Sequence, residues 1–301
     1  MYAWESIQKT VDYIEVNFND EIKLEDLAQM AHLSYFYFHR LFSRLVQKPV
    51  QEYIKLRRLA RACEALKDKH IRILDIALEY GFGSHEVFTR AFKDAYGMTP
   101  VDYRNNPVTL NHFTKPDLLL KYVHVDEDVP FVSNGIVLEI NRMTLDEPIH
   151  FIGFSGHIKI DGQGGQITGI DEPGAMWDRF HKSDIPMLSH WRNIGASYKG
   201  DAPEGCFTYF VGTEAVANAD HGDYATWQLP AGKYMVCTFE AEDFEALVTD
   251  AIYKAGAYTE SWLKKKSIPR GDFIAELYTP CNVEYAMMET WYPIKENDEG
   301  E

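Results

Sequence analysis

Apolar residues follow a helical period between Ile73 and Arg104, with one interruption at Gly81. The stripe before this glycine has the spacing i, i+3, i+4, i+7, and a second stripe begins after Ser84, a good helix N-cap, and ends at Gly97. The apolar members are Ile73, Ile76, Ala77 and Tyr80, then Phe88, Ala91, Phe92 and Ala95. Two short helices joined by a glycine turn are typical of a helix-turn-helix, whose second helix can enter a DNA major groove.

The same pattern occurs 50 residues earlier in the chain. The frame S-x-x-x-F-x-R-x-F begins at Ser34 and again at Ser84, and Tyr53 and Tyr103 share that offset. A repeated helical unit predicts two copies of one module. A duplicated helical bundle with no role on DNA is the alternative.

Helical periodicity also covers the rest of residues 1–106. Residues 4–18 and 24–30 each carry one apolar face, and a long amphipathic helix follows Pro49. We therefore predict an all-α N-terminal domain in which two helix-turn-helix units are joined by a long helix. Such a helix would hold two recognition helices in successive major grooves, about 34 Å apart.

The pattern changes after residue 106. Residues 107–117 lose the helical period and contain two prolines, which predicts a linker. In residues 118–301 the order strand, helix, strand, strand occurs twice, which predicts an α+β domain with helices on one face of an antiparallel sheet. The helical stretches are 172–188 and 243–266, and the strand-like ones are 118–125, 136–145, 151–160, 193–199, 206–215, 232–241, 273–280 and 283–294.

Charge is divided unevenly between the two halves. The 301 residues have a net charge of −16, yet residues 1–106 carry equal numbers of basic and acidic side chains. Within them, residues 40–72 hold ten basic side chains against three acidic ones, a local excess of seven positive charges that can contact phosphates. A solvated helix face is the alternative. The acidic second half is expected to stay off DNA.

Several other classes of protein fit the sequence poorly. No apolar run reaches the length of a membrane span, and the first residues lack the layout of a signal peptide, so we expect a cytoplasmic protein with no membrane partner. The four cysteines form no C-x-x-C pair. We expect no metal site and no cofactor. With no Ser-His-Asp order and no phosphate loop in view, we also expect no enzyme.

Residues 5–104 resemble the DNA-binding domain of the AraC/XylS transcription regulators. The matching stretches are I-K-L-E-D-L-A (22–28), S-x-x-x-F-x-R-x-F (34–42), R-L-x-x-A-x-x-x-L (58–66), the I-A-x-x-x-G-F segment that ends at Phe82, F-T-R-A-F-K (88–93) and G-M-T-P-x-x-Y-R (97–104). The resemblance implies two helix-turn-helix units on one asymmetric site in double-stranded promoter DNA.

The resemblance also implies which side chains face the bases. They are Phe36, His39 and Arg40 in the first recognition helix and His85, Glu86, Val87 and Arg90 in the second, and Arg44 is left outside with the first set. Arginine is the commonest specific partner of guanine, which independently favours Arg40 and Arg90. Phe36 packing on the preceding helix and Arg90 pairing with an acid are the structural alternatives. Glu86 would accept a hydrogen bond from cytosine or repel the DNA phosphate backbone. The first helix-turn-helix is therefore expected to carry more of the base specificity.

Residues 147–295 resemble the GyrI-like small-molecule-binding domain. The supporting stretches are L-P-A-G-K-Y-M-V (229–236), W-L (262–263), F-I-A-E-L-Y (273–278) and W-Y-P-I (291–294). The resemblance implies an aromatic cleft with Glu276 near its middle and Tyr278 beside it. Glu289 on the next strand is a candidate second acid, and Trp227 a candidate aromatic wall for which core packing is the alternative.

A carboxylate among aromatic faces attracts cationic or amphipathic ligands. The sequence therefore predicts a transcription regulator whose second domain senses a small-molecule effector. RNA polymerase is an expected partner and activation the expected effect, with repression left open as the alternative. Two alternatives stay open for that domain. It would act as a hydrolase with Glu276 as general base, or it would bind a peptide of a protein partner.

Overall fold

The computed structural model describes residues 2–160, 168–186, 192–215, 221–278 and 286–295. The chain divides into two compact units. The first comprises Met1–Tyr122 and Gly162–Asp171, and the second comprises Val123–Asp161 and Glu172–Glu301. No helix among the described residues has the length and apolar character needed to cross a bilayer.

The first unit is helical, as predicted. Its helices are α1 (Ala3–Val16), α2 (Leu24–Met30), α3 (Tyr35–Val46), α4 (Val50–Lys67), α5 (Ile73–Glu79), α6 (His85–Tyr96) and α7 (Pro100–Asn105). The apolar stripes meet in one continuous core that includes Val11, Leu27, Leu59 and Ile76. Residues from both halves of the repeat share this core, so the two copies fold as one body.

The 50-residue repeat is visible in matching local structure. The Ser34 hydroxyl caps α3 by accepting from the Tyr37 amide, and the Ser84 hydroxyl caps α6 by accepting from the Val87 amide. Both helices end at a residue in the left-handed region, Gln47 in α3 and Gly97 in α6. The two phenylalanines of each repeat are fully buried, at positions Phe38, Phe42, Phe88 and Phe92. The sequence frame thus encodes a cap and two core anchors per module.

The segment expected to be a linker, 107–117, packs onto the first unit. Phe113 is fully buried in the helical core, and Leu118 beyond it is buried in the same way. The prediction of a strand over 118–125 is wrong, because Leu118–Tyr122 forms a helix, α8. Asp117 caps this helix by accepting from the Leu120 amide. The three adjacent leucines lack the alternation of apolar and polar residues that would favour a strand.

A short strand in the same segment meets a distant piece of chain. Leu110–Asn111 (β1) pairs antiparallel with Gly169–Ile170 (β5), and the Asp171 amide donates to the Thr109 carbonyl. Residues 168–171 therefore belong to the helical unit, although residues 123–160 and the chain from Glu172 onward belong to the other. The sequence pattern did not predict this pairing.

The second unit is built on a nine-stranded antiparallel sheet. Its strands are β2 (Phe131–Ser133), β3 (Ile136–Leu145), β4 (Ile149–Lys159), β6 (Asn193–Tyr198), β7 (Cys206–Glu214), β8 (Ala225–Leu229), β9 (Gly232–Ala241), β10 (Phe273–Tyr278) and β11 (Ala286–Pro293). The spatial order is β2-β3-β9-β11-β10-β6-β7-β4-β8. The helices are α9 (Glu172–His181), α10 (Phe244–Ala246) and α11 (Ile252–Lys265), with a π-helical turn at Leu247–Ala251 between the last two.

The predicted duplication is visible in the strand order. β4, α9, β6 and β7 form one copy, and β9, the α10–α11 segment, β10 and β11 form the other. Each copy contributes three adjacent strands, and the copies meet where β10 pairs with β6. The sheet therefore has approximate two-fold symmetry about that central pair.

Both long helices of this unit cover the same face of the sheet. Cross-strand pairing places Cys237, Thr290, Glu276, Gly195 and Val211 side by side across β9, β11, β10, β6 and β7. α11 reaches this row through a hydrogen bond between Thr259 and Cys237. α9 covers the same face over β4 and β7. Glu276 lies in the middle of the row.

Candidate functional sites

The first candidate recognition helix, α3, exposes most of its predicted base-facing side chains. Phe36 is 76% exposed, so the alternative of packing on the preceding helix is not observed. Arg40 is exposed, with its guanidinium 5.0 Å from the centre of the Tyr37 ring, and Arg44 is exposed one turn further on. The helix therefore presents two cations and one apolar ring on its outer surface.

His39 differs from its neighbours on α3. It is half-buried, and its ring lies 4.4 Å from the ring of Tyr35. Its Nε2 atom is shielded from solvent and has no hydrogen-bond partner among the residues that the structure describes. A base edge could reach this nitrogen only after the side chains around it had moved. His39 is therefore less available for base contact than the sequence suggested.

The second candidate helix, α6, presents a different surface. Val87 is 42% exposed and His85 is half-buried. A hydrogen bond with Ser84, and then one with its own backbone amide, lowers the pKa of the exposed Glu86 carboxyl. Glu86 is thus engaged at the start of its own helix, where the helix dipole favours an anion. Arg90 is exposed and makes no ion pair with any residue that the structure describes, which removes the structural alternative considered for it.

The basic residues between these helices are partly used inside the protein. Arg57 is turned inward onto Glu15, with Nε and Nη2 donating over 2.7 and 2.8 Å. Exposed pairs at three-residue spacing occupy Lys55, Lys67 and Arg72. The positive excess counted in the sequence therefore overstates the charge that is free to meet phosphates.

A second candidate site surrounds Glu276 on the helix-covered face of the second unit. Tyr209 donates from its hydroxyl to Glu276 Oε2 over 3.1 Å, and Trp177 of α9 donates from Nε1 to the Tyr209 hydroxyl over 2.9 Å. Tyr278 meets Trp177 edge to face, with 4.6 Å between ring centres. Glu276 and Tyr278 thus lie on one face of the sheet, beside Tyr209 and Trp177.

Burial and a neighbouring charge keep the phenol of Tyr209 protonated. Tyr209 is completely enclosed, and burial, then the adjacent charge of Glu276, raises the pKa of its phenol well above the ordinary value. The phenol therefore stays neutral and acts as a donor to the carboxylate. Gly195 faces Glu276 across the β10–β6 pair, and a Cβ atom there would lie 2.4 Å from the Tyr209 hydroxyl oxygen. Glycine leaves the space in which the two polar groups meet.

The structure does not bring Glu289 and Trp227 into this site. Glu289 does lie on the neighbouring strand, but it pairs with Leu277 and so faces the opposite side of the sheet, where it accepts from Trp291. Trp227 packs on that same opposite side against Phe273 and Phe210. The expectation that these two residues share a cleft with Glu276 is wrong, because successive strand residues point to opposite faces.

Sequence reasoning also missed part of the cluster. Tyr209 and Gly195 join Glu276 only through the register of three strands, which no local pattern reveals. Trp177 was visible as an aromatic on a predicted helix, but its contact with Tyr209 depends on how α9 packs.

The geometry of the first unit agrees with comparisons to known proteins. A family described as a helix-turn-helix domain matches residues 27–106. YbfP of Bacillus subtilis, an uncharacterized HTH-type transcriptional regulator, is 46% identical over 104 residues, which cover 35% of this chain and 35% of YbfP. The HTH-type transcriptional activator AarP of Providencia stuartii is 33% identical over 114 residues, which cover 38% of this chain and 81% of AarP. The chain belongs to the AraC-type family of helix-turn-helix transcriptional regulators.

The AraC-type assignment rests on the first unit. The matched region spans about a third of YbfP, so the activity of the whole protein is treated as a proposal below. The structure of SAV2435 bound to tetraphenylphosphonium is 18% identical, with a TM-score of 0.38, and the match covers 52% of this chain and 94% of that one. The AraC part of the sequence resemblance is confirmed, while the GyrI-like part stays a prediction.

Proposed function

We propose that this AraC-type protein binds promoter DNA by placing α3 and α6 in two successive major grooves. The observation that carries the proposal is the equivalence of the two helices. Each is capped by a serine, anchored by two buried phenylalanines and exposes an arginine at the same position, Arg40 or Arg90. Residues that differ between the copies, such as Phe36 and Glu86, would give the two half-sites different sequences.

The two helices would divide the task unequally. On α3, Arg40 and Arg44 are both exposed beside the exposed ring of Phe36, a surface suited to guanine and to a thymine methyl. On α6, Glu86 is engaged with the helix start, which leaves Arg90 as the exposed cation expected at the bases. We therefore expect α3 to carry more of the base preference, and α6 to add affinity and register.

Binding of the full chain to duplexes selected from a random pool tests this proposal. Affinity should fall steeply with salt, by about 10³-fold or more between 50 and 200 mM for six or more phosphate contacts. Arg40→Ala should cost about 1–3 kcal/mol and relax base preference at one position. Lys9→Ala, which removes an exposed charge from α1, is the matched control and should leave base preference unchanged.

Two results would contradict it. One is equal binding to every duplex at all salt concentrations. The other concerns only the division of labour: if Arg90→Ala relaxes base preference more than Arg40→Ala does, then α6 carries the specificity.

The second unit is proposed to sense a small cationic or amphipathic effector at Glu276. Support comes from a half-buried carboxylate that accepts from Tyr209 and lies on the same face as the rings of Trp177 and Tyr278, a combination that attracts cations by charge and by contact with ring faces. Effector binding would compete with the Tyr209 hydroxyl for the carboxylate. This role needs no catalysis, and the protein is proposed to act as a regulator rather than as an enzyme.

Tetraphenylphosphonium is a suitable probe of this site because it joins a positive charge to aromatic surface. Calorimetric titration of the full chain should show binding that weakens at least about tenfold in Glu276→Gln, through loss of the charge. Glu289→Gln is the matched control, since its carboxylate lies on the opposite face of the sheet. Equal affinity of the two variants would refute the assignment of the site.

The outcome on DNA is proposed to be activation through recruitment of RNA polymerase. AarP is described as a transcriptional activator, and this protein is proposed to activate transcription in the same way. In a purified transcription assay the protein should raise RNA output from a promoter that carries its selected site. A fall in output would reverse the sign of regulation without affecting the DNA-binding proposal.

A further inference from the structure

Arg58 of α4 connects two segments that are distant in the sequence. Its Nε donates to the Phe18 carbonyl over 2.8 Å and its Nη2 to the Asp20 carbonyl over 2.9 Å. Both carbonyls lie in the loop between α1 and α2, at the entrance to the first helix-turn-helix. Its Nη1 donates to the Gly81 carbonyl over 3.2 Å, in the turn between α5 and α6. One guanidinium therefore holds the loop before the first helix-turn-helix and the turn within the second.

Only glycine fits at position 81 beside this guanidinium. The φ of Gly81 is +72°, a backbone conformation that residues with a side chain rarely adopt, and a Cβ atom there would lie 2.7 Å from Arg58 Cζ. The next residue, Phe82, is buried, so the turn cannot move away without disturbing the core. The turn and the arginine fix each other in place.

The surroundings show that Arg58 spans a gap rather than a packed interface. An open cleft of about 520 Å³ lies beside it, lined from one side by residues 19–22 and from the other by Gly81, Phe82 and Val87 of the second helix-turn-helix. Arg58 makes no ion pair with a residue that the structure describes, so its bonding capacity is directed at backbone carbonyls. A planar fork with five N–H donors suits three divergent carbonyls, whereas a lysine ammonium does not.

We infer that Arg58 is a positioning residue that fixes the separation of the two recognition helices, so that the protein accepts two half-sites at one spacing only. The inference rests on the proposed reading of two grooves. Adding one base pair between half-sites moves the second by roughly 3.4 Å and rotates it by about 35°. A protein whose recognition helices are held rigidly cannot bind both half-sites after that shift and rotation. A protein whose helices can move relative to each other across the cleft can do so.

Selection from a pool of random-sequence duplexes tests the inference with the full chain. Three proteins are compared: wild type, Arg58→Lys, and the control Arg61→Lys. Arg61 lies three residues along α4, is 51% exposed, and contacts Glu15 over a long 3.6 Å and the ring of Phe18 over 5.5 Å to its centre. Wild type and Arg61→Lys should recover two half-sites at a single separation. Arg58→Lys should recover the same half-site sequences at two or more separations.

Affinities for duplexes with the selected spacing, or with one base pair added or removed, quantify the effect. Wild type should prefer its own spacing by about tenfold or more, and Arg58→Lys should bring that ratio close to one. If Arg58→Lys does not fold, as judged by circular dichroism, Gly81→Ala disturbs the same contact from the other side and should loosen spacing in the same way.

Two outcomes overturn the inference while leaving two-groove binding intact. In the first, the variant keeps the wild-type spacing ratio. In the second, it loses affinity equally at every spacing, which would indicate a structural role alone. Recovery of no paired half-sites by wild type would instead refute the proposed function itself.

Discussion

Glu15 is the acceptor at the centre of a buried polar cluster that joins α1, α4 and the segment after residue 106. Its side chain is 8% exposed and that of Arg57 is 13% exposed. Arg57 donates twice to the carboxylate, Tyr53 donates once over 2.6 Å, and Arg57 Nη1 also donates to the Phe113 carbonyl over 2.6 Å. Replacing Glu15 by Gln keeps the shape but leaves the buried guanidinium without its counter-charge.

The expected loss is large for one substitution. Removing one partner of a buried ion pair costs about 3–5 kcal/mol. At about 2–4 °C per kcal/mol, this corresponds to a fall in Tm of roughly 10 °C. Replacing Arg57 by Met in the same background removes the stranded charge and should recover part of the loss. Thermal unfolding followed by circular dichroism at 222 nm reports on the helical unit.

The same cluster predicts a dependence of stability on pH. Burial by itself raises the pKa of Glu15, but the hydrogen bonds and charge of Arg57, with the Tyr53 hydroxyl, outweigh it and leave the pKa below its usual value. A carboxyl with a lowered folded-state pKa stabilises the fold above its unfolded pKa, near 4.5, and that contribution is lost as pH falls through the folded value. Glu15→Gln should therefore flatten the decline of Tm below about pH 5.

Glu64→Gln is the matched control, because Glu64 pairs with Lys67 on the surface, with side chains 72% and 55% exposed. Such pairs contribute about 0–1 kcal/mol. If Glu15→Gln lowers Tm no more than Glu64→Gln does, or leaves the acid decline unchanged, the buried cluster does not hold the unit together as described.

Three further predictions concern single features of the fold. Ser84→Ala removes the cap of α6 and should lower the free energy of unfolding by about 1 kcal/mol in a denaturant titration, whereas Ser84→Asp should not; equal losses would contradict the capping role. Phe113→Ala empties a fully buried site and should cost about 3–5 kcal/mol in the same assay, a result that a free linker would not give. Gly195→Ala forces a methyl group against the Tyr209 hydroxyl and should weaken tetraphenylphosphonium binding while duplex binding is retained; unchanged affinity for the cation would argue against this geometry.

The repeat in the first unit was predictable because its signals are local. A capping serine, two phenylalanines at helical spacing and a left-handed helix end all lie within fourteen residues of sequence. Nothing beyond the helix itself is needed to recognise them. The exposure of Arg40 and Arg90 followed from the same periodicity.

The predictions that failed depended on contacts between distant residues. Alternation of side chains along β10 correctly placed Glu276 and Tyr278 on the same face of the sheet. The face occupied by Glu289 depends instead on which residue of β10 it opposes. The helix at Leu118–Tyr122 docks through a hydrogen bond from the Leu118 amide to Gln8, 110 residues away. A run of three leucines does not reveal such a partner.

The pairing of β1 with β5 affects how the protein can be divided. Among the described residues, 168–171 belong to the first unit, whereas residues 123–160 and the chain from Glu172 onward belong to the second. A fragment that ends at residue 106 loses Phe113 and Leu118 from its own core, and a fragment that begins there keeps both strands of the pair but removes the helical core that buries Phe113. In an exchange of the second unit between relatives, a crossover before Leu110 would therefore keep the two strands together, but Phe113 and Leu118 of one parent would then have to fit the helical core of the other.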